Sequence, residues 1–266
     1  PEIEAYTAEE DAYIKEHPYV TVAVLNDDEP FFDLTRNQKY KGILPDYYSQ
    51  LSELTGLKFR YRVYSSQAEA MQAIQNGEAD IIGMYSGGTV SAYDNGLRLT
   101  AVYDTSVAVF VTKAGQRSNS IDKIACKERS LSAIRSGLDS DISDKLVTYE
   151  TASKCFDALR SGRADAMIAG LPSATWLVNQ TNSTSYSISA IPTIEISMSG
   201  ALDYDNTVLW SIMNKAIRIS NYNFNSLISQ DTLAENNWHT YISRIPQSLL
   251  IMYMFILFIF TVVLIF

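Results

Sequence analysis

The sequence predicts an α/β protein of two similar lobes followed by a membrane-spanning helix. Three observations carry that prediction. Residues 73–80 read AIQNGEAD and residues 158–165 read ALRSGRAD, so that Ala73, Gly77, Ala79 and Asp80 recur as Ala158, Gly162, Ala164 and Asp165. Each copy is followed by an apolar run, over 81–85 and 166–170. A helix closed by a left-handed glycine and followed by a short buried strand explains both copies. The third observation is the run from Leu249 to Phe266, which carries no charge. As a helix it spans roughly 27 Å, close to the hydrocarbon thickness of a bilayer.

The totals bound the function. A chain of 266 residues with 47% hydrophobic content has room for two lobes with cores of their own. The net charge of −9 argues against a nucleic-acid partner, because phosphate binding needs a basic face. His17 and His239 are the only histidines and no Cys/His cluster accompanies them, so no metal site is expected. Cys126 and Cys155 allow one disulfide, with burial as two free thiols the equally ordinary alternative. The chain begins at Pro1 rather than Met, which suggests a removed leader or first membrane helix.

Taken in order, Thr7 and Glu10 stand at capping-box spacing before a helix that Pro18 ends. Val20, Val22 and Val24 alternate as a strand, and an acidic turn then leads to Phe31 and Phe32. That turn reads equally as a surface loop over packed rings or as an aromatic cleft wall. Between Gly42 and Gly56, Leu44, Tyr47, Leu51 and Leu54 form the apolar stripe of a helix, with Pro45 in its first turn. From Lys58 to Val63, Phe59, Tyr61 and Val63 alternate with Lys58, Arg60 and Arg62, a strand with a solvated basic face. Ser66 and Glu69 mark a second capping box, whose helix runs into the first repeat. Residues 179–185 are polar and aperiodic, a surface loop. From Ala201 to Asn225 and beyond, helices are expected, with Trp210, Ile212, Met213, Ala216 and Ile217 on one side.

The opening helix, the strand at Val20–Val24, Pro30-Phe31, the Gly42–Asp46 segment, Asn76–Asp80 and Leu99–Tyr103 together resemble the type II periplasmic solute-binding proteins. More narrowly they resemble the Venus-flytrap sensor domains of bacterial sensor kinases and related receptors, over roughly residues 7–240. The resemblance implies a two-lobed clamp with crossing segments near 104–113 and 190–200. Lobe 1 would comprise 1–108 with 196–245, lobe 2 109–195, and the transmembrane helix 249–266.

In such sheets ligands bind beyond the carboxyl ends of strands, which places Tyr85 and Gly170 across a cleft from one another. Phe31, Tyr85, Ser86, Thr89, Tyr93 and Tyr103 are expected to line lobe 1, Ser130, Ser132 and Gly170 lobe 2, with Asp104 at the hinge. Amino-acid-binding relatives grip the ligand carboxylate with an arginine and its amine with an aspartate; Tyr93 and Gly170 hold those places here. A buried zwitterion without paired charges is costly, so a neutral or aromatic ligand held by stacking and hydroxyls fits better.

The resemblance therefore implies an extracytoplasmic small-molecule sensor, with residues 1–245 outside the cell membrane and the bilayer engaged through the C-terminal helix. A small ligand in the interlobe cleft is the expected partner, a homodimer of the full-length receptor is compatible with this arrangement, and no cofactor is expected. The alternative is a membrane-tethered binding protein of an ABC transporter. An enzyme on the same fold is the third reading, and only Asp104 and Glu195 offer carboxylates near the hinge for acid–base work.

Overall fold

The computed structural model describes residues 5–26, 30–34, 40–117, 120–181 and 183–220. The predicted transmembrane helix over 249–266 and the returning segment beyond residue 220 lie outside them. Among the described residues no helix is long and apolar enough to cross a membrane.

The helix predicted at Thr7 is α1 (Ala8–Glu16), with both halves of its capping box formed. It leads into β1 (Tyr19–Leu25), which buries Val20, Val22 and Val24. A short hairpin of β2 (Asp33–Leu34) and β3 (Tyr40–Lys41) precedes α2 (Ile43–Thr55). Leu44, Tyr47 and Leu51 of α2 are buried as their stripe predicts. The basic-faced strand is β4 (Lys58–Tyr64), parallel to β1. The first repeat then supplies α3 (Gln67–Gln75) and β5 (Ile81–Tyr85), followed by α4 (Gly88–Asp94). At α3 the Ser66 hydroxyl accepts from the Glu69 N–H, but the Glu69 carboxylate returns to Ser65 rather than to the cap itself, leaving the box half closed.

The long strand β6 (Leu97–Lys113) carries the chain into the second half. There β7 (Ile124–Lys127), α5 (Leu131–Ser136), the single turn α6 (Ser140–Ser143) and β8 (Leu146–Tyr149) precede the second repeat. That repeat is α7 (Ala152–Ser161) and β9 (Ala166–Gly170), followed by α8 (Leu171–Asn179). A second long strand, β10 (Tyr186–Asp203), returns to the first half, where α9 (Thr207–Ile219) packs beside α1 and α2.

The strand order is β4-β1-β5-β10-β6-β9-β7-β8, which reads alike from both ends. In each half a repeat strand, β5 or β9, is parallel to the strand on its outer side and antiparallel to a crossing strand. The ladder is continuous, but β5 pairs with β10 near residues 199–202 and β9 pairs with β6 over 108–112. The repeats therefore lie at opposite ends of a two-stranded ribbon, and each half has its own core. One is built around Tyr48, Leu51, Ile81 and Met213, the other around Val111, Cys155, Phe156 and Met167. The crossing segments expected near 104–113 and 190–200 fall in the second half of β6 and the middle of β10. Their pairing shifts register between Ile191 and Glu195, and again near Ser199, and such irregularities bend and twist a ladder locally.

The repeat does the same work twice. Gly77 and Gly162 take φ of 69° and 76°, the left-handed conformation that closes α3 and α7. The carbonyls of Ala73 and Ala158 accept from the two N–H groups ahead of each aspartate. Asp80 then accepts from the Thr21 N–H, and Asp165 from those of Asp122 and Lys123. Each aspartate thus ties its repeat to the start of the neighbouring strand.

Candidate functional site

The carboxyl ends of β5, β7 and β9 converge between the two halves, together with the segment that follows β1. Phe31, Met84 and Ser86 form the wall on one side. Lys127, Ser130, Gly170, Pro172 and Ser173 form the other, and Ser106, Ile196 and Met198 of the crossing strands close the back. The cavity they enclose has a volume of about 20 Å³, room for about one water molecule. The lobes are closed on one another.

The polar groups of this cavity are deeply placed. Ser130 is 1% exposed and Ser86 8%, and neither hydroxyl has a hydrogen-bond partner among the described residues. The two come from opposite walls. Lys127, 8% exposed, brings a cationic side chain to the same space. Gly170 caps the amino end of α8 without a side-chain hydrogen bond. A Cβ there would stand 3.5 Å from the Ser106 hydroxyl and 3.8 Å from Pro172, so glycine is not demanded by close packing.

Of the sequence-predicted residues, Phe31, Ser86, Ser130 and Gly170 meet in this cavity. The others do not line it. Tyr85 turns away into the core of the first half, where its hydroxyl lies 2.9 Å from that of Ser91 and its ring fills the space under Gly87. Tyr103 is also a core residue, 2.9 Å from the Tyr48 hydroxyl. Its place depends on Gly200, where a Cβ would come within 2.3 Å of the Tyr103 hydroxyl. Tyr93 is 66% exposed and meets Tyr204 edge to face on the outer surface. Thr89 and Ser132 are exposed on α4 and α5. Asp104 is half-buried beside the cavity; burial raises its carboxyl above the ordinary value, and a hydrogen bond from the Thr105 backbone partly opposes that. Glu195 is exposed.

Met84, Ser106, Lys127, Pro172, Ser173, Ile196 and Met198 were not among the expected residues. The apolar run Ile124–Cys126 could have revealed Lys127, since Lys127 holds the strand-end place in β7 that Gly170 holds in β9. Cys126 and Cys155 carry free thiols. Burial pushes them up to about 11 and about 12, with the nearby Cys126 adding to the rise at Cys155.

The family described as ABC transporter, phosphonate, periplasmic substrate-binding protein matches residues 46–170. The virulence sensor protein BvgS of Bordetella pertussis is 28% identical over 254 residues, 91% of this chain and 20% of BvgS. BvgS of Bordetella bronchiseptica is 26% identical over the same span. The chain thus covers about a fifth of these relatives. The crystal structure of the B. pertussis BvgS periplasmic VFT2 domain superposes with a TM-score of 0.75 at 28% identity, covering 85% of this chain and 98% of that one. The larger BvgS periplasmic domain gives 0.77 at 26%, covering 90% of this chain and 48% of that one. An ancestral arginine-binding protein bound to arginine shares the fold, with a TM-score of 0.66 at 18% identity, covering 80% of this chain and 97% of that one. The sheet order, the interlobe cavity and these likenesses agree: the chain has the two-lobed Venus-flytrap fold of the type II periplasmic solute-binding proteins and is similar over most of its length to the periplasmic domain of BvgS.

Proposed function

We propose that this chain is the extracytoplasmic small-molecule-sensing domain of a membrane-anchored bacterial signalling receptor, of the sensor histidine kinase or diguanylate cyclase type. Lobe 1 is assigned to 1–108 with 196–245 and lobe 2 to 109–195. The apolar run over 249–266 is assigned as the membrane helix that carries lobe movement onward, with residues 1–245 outside the cell membrane. The likeness to BvgS supports a sensing role, and dimerisation of the full-length receptor is compatible with it.

The observation that carries the reading is the cavity itself, walled by both lobes and the crossing strands, with buried hydroxyls on opposite sides that have no partner among the described residues. A ligand bridging Ser86 and Ser130 has a reason to prefer the closed form, and only such differential affinity can move the equilibrium. A cavity of about 20 Å³ admits no metabolite while shut, so entry requires the lobes to part. The loss of the amino-acid charge anchors favours a neutral or aromatic ligand.

A thermal-shift screen of small metabolites on the chain tests this. A ligand at 100 times its dissociation constant adds about 2.7 kcal/mol of stability. Ser86→Ala and Ser130→Ala should each weaken it by about tenfold, the value of one hydrogen bond to a buried group. A screen in which no compound shifts unfolding, with scattering profiles that never change, would count against sensing by closure. The match to the phosphonate-binding family favours, as a second reading, a tethered binding protein that delivers solute to an ABC permease. The coding sequence after residue 266 separates the two: a kinase or cyclase domain supports sensing, a stop codon beside permease genes supports transport. Catalysis has the least support, because Glu195 is exposed and Asp104 does not line the cavity.

A further inference from the structure

A second cavity, of about 420 Å³, lies on lobe 2 at the end of its sheet remote from the cleft, and its volume is in the range of small-molecule pockets. Its floor follows from register. Ser187 pairs with Thr112 and Ser189 with Phe110, while Thr112 and Ile124 both pair with Ala166. The side chains of each such row share one face of the sheet. Most of the row is small, and α6, a single turn, is too short to cover it. The opposite face of the same strands is filled by α7 and α8. Ile121, Ile142 and Lys145 stand over the uncovered floor.

The chemistry of the walls is selective. Phe110, Ile121, Ile124 and Ile142 supply an apolar body. The Lys145 ammonium donates one hydrogen bond to the Ile121 carbonyl at 2.8 Å, leaving further N–H bonds for a ligand. Thr112, Ser187 and Ser189 add hydroxyls on the floor, and among the described residues no carboxylate lines the cavity although the chain carries a net charge of −9. We propose that this cavity is a second binding site, separate from the interlobe cleft, for a small aromatic or branched-aliphatic carboxylate. The ring sits against Phe110, Ile124 and Ile142, and the carboxylate meets Lys145 and the hydroxyls of β10. Because Phe110 and Ser189 belong to the crossing strands, a ligand there bears on the same ribbon that joins the lobes.

The probe is 4-fluorophenylacetate, with uncharged 4-fluorophenylacetamide as its partner, titrated into the chain and followed by ¹⁹F NMR. Saturable binding is expected, with the acid held about threefold more tightly than the amide, the value of one solvent-accessible ion pair. Lys145→Met should remove that preference while leaving amide binding in place. Ser189→Trp, at an exposed position of β10, fills the cavity without disturbing the core and should weaken both probes about tenfold or more. Circular dichroism and urea midpoints establish that each variant is folded. Equal binding to wild type and Ser189→Trp would overturn the proposal. So would binding lost in Ser130→Ala but kept in Ser189→Trp, which places the probe in the interlobe cleft. Loss of this site would leave the sensing role of the cleft untouched.

Discussion

The Glu10 carboxylate is buried against α9, where the Lys215 ammonium approaches it to 2.7 Å. Burial alone would raise its pKa. Hydrogen bonds from Lys215, Ser211 and the Thr7 backbone, with the Lys215 charge, outweigh burial and bring the pKa down to about 2 from 4.5. A folded value below the unfolded one means stability that is fully present above about pH 4.5 and is lost as the pH falls towards 2. The shift corresponds to on the order of 3 kcal/mol. Lys215→Met leaves a buried carboxylate without its cation, at a cost of about 3 kcal/mol or more at neutral pH. It should also flatten the acid limb. Urea unfolding at pH 7 and pH 3 checks both effects, and an unchanged pH 7-to-3 difference in the variant would show that this pair is not their source.

At the level of elements, the two repeats make a paired prediction. Nothing lies within 4 Å of a Cβ built on Gly77 or Gly162, so Gly77→Ala and Gly162→Ala are charged only for the left-handed backbone, about 1 kcal/mol each. Equal losses in urea midpoint are expected, and a much larger loss at one site would mean that the copies are not equivalent. Asp165→Ala removes the acceptor of two backbone N–H groups and should cost about 1–2 kcal/mol more than an exposed aspartate substitution. These features were legible in the sequence because they are local: a glycine stop, a capping box at Thr7 and Glu10, and a stripe through Leu44, Tyr47 and Leu51 need no distant partner. The orientation of Tyr85 and Tyr103 was not legible. Tyr103 points inward because Gly200, on the other crossing strand, leaves room for its hydroxyl, and a pairing of that range leaves no mark on neighbouring residues. The same holds for Ile196 and Met198, which reach the cleft through a strand with irregular register. Of the candidate site, Ser86, Ser130 and Gly170 were readable from their places at or just past strand ends, and the residues contributed by the crossing strands were not.

For the whole molecule, the question is whether the lobes are separate bodies joined by a ribbon. Each half has its own core, and among the described elements only β6 and β10 run through both, so parting the lobes need not disrupt either core. Gly170 gives a way to test this. The nearest atoms to a Cβ there stand at 3.5–3.9 Å, ordinary contact distances, so Gly170→Ala should fit with little change in stability. A cavity of about 20 Å³ cannot hold an aromatic ring, so Gly170→Phe has to prop the lobes apart or strain them. If the ribbon is the only connection that matters, the phenylalanine variant opens. Its radius of gyration by small-angle scattering then rises above that of the alanine variant, while the urea midpoint changes little. Overpacking in a rigid body instead costs about 1–3 kcal/mol, and an unchanged radius with that loss of stability would mean that the halves behave as one block.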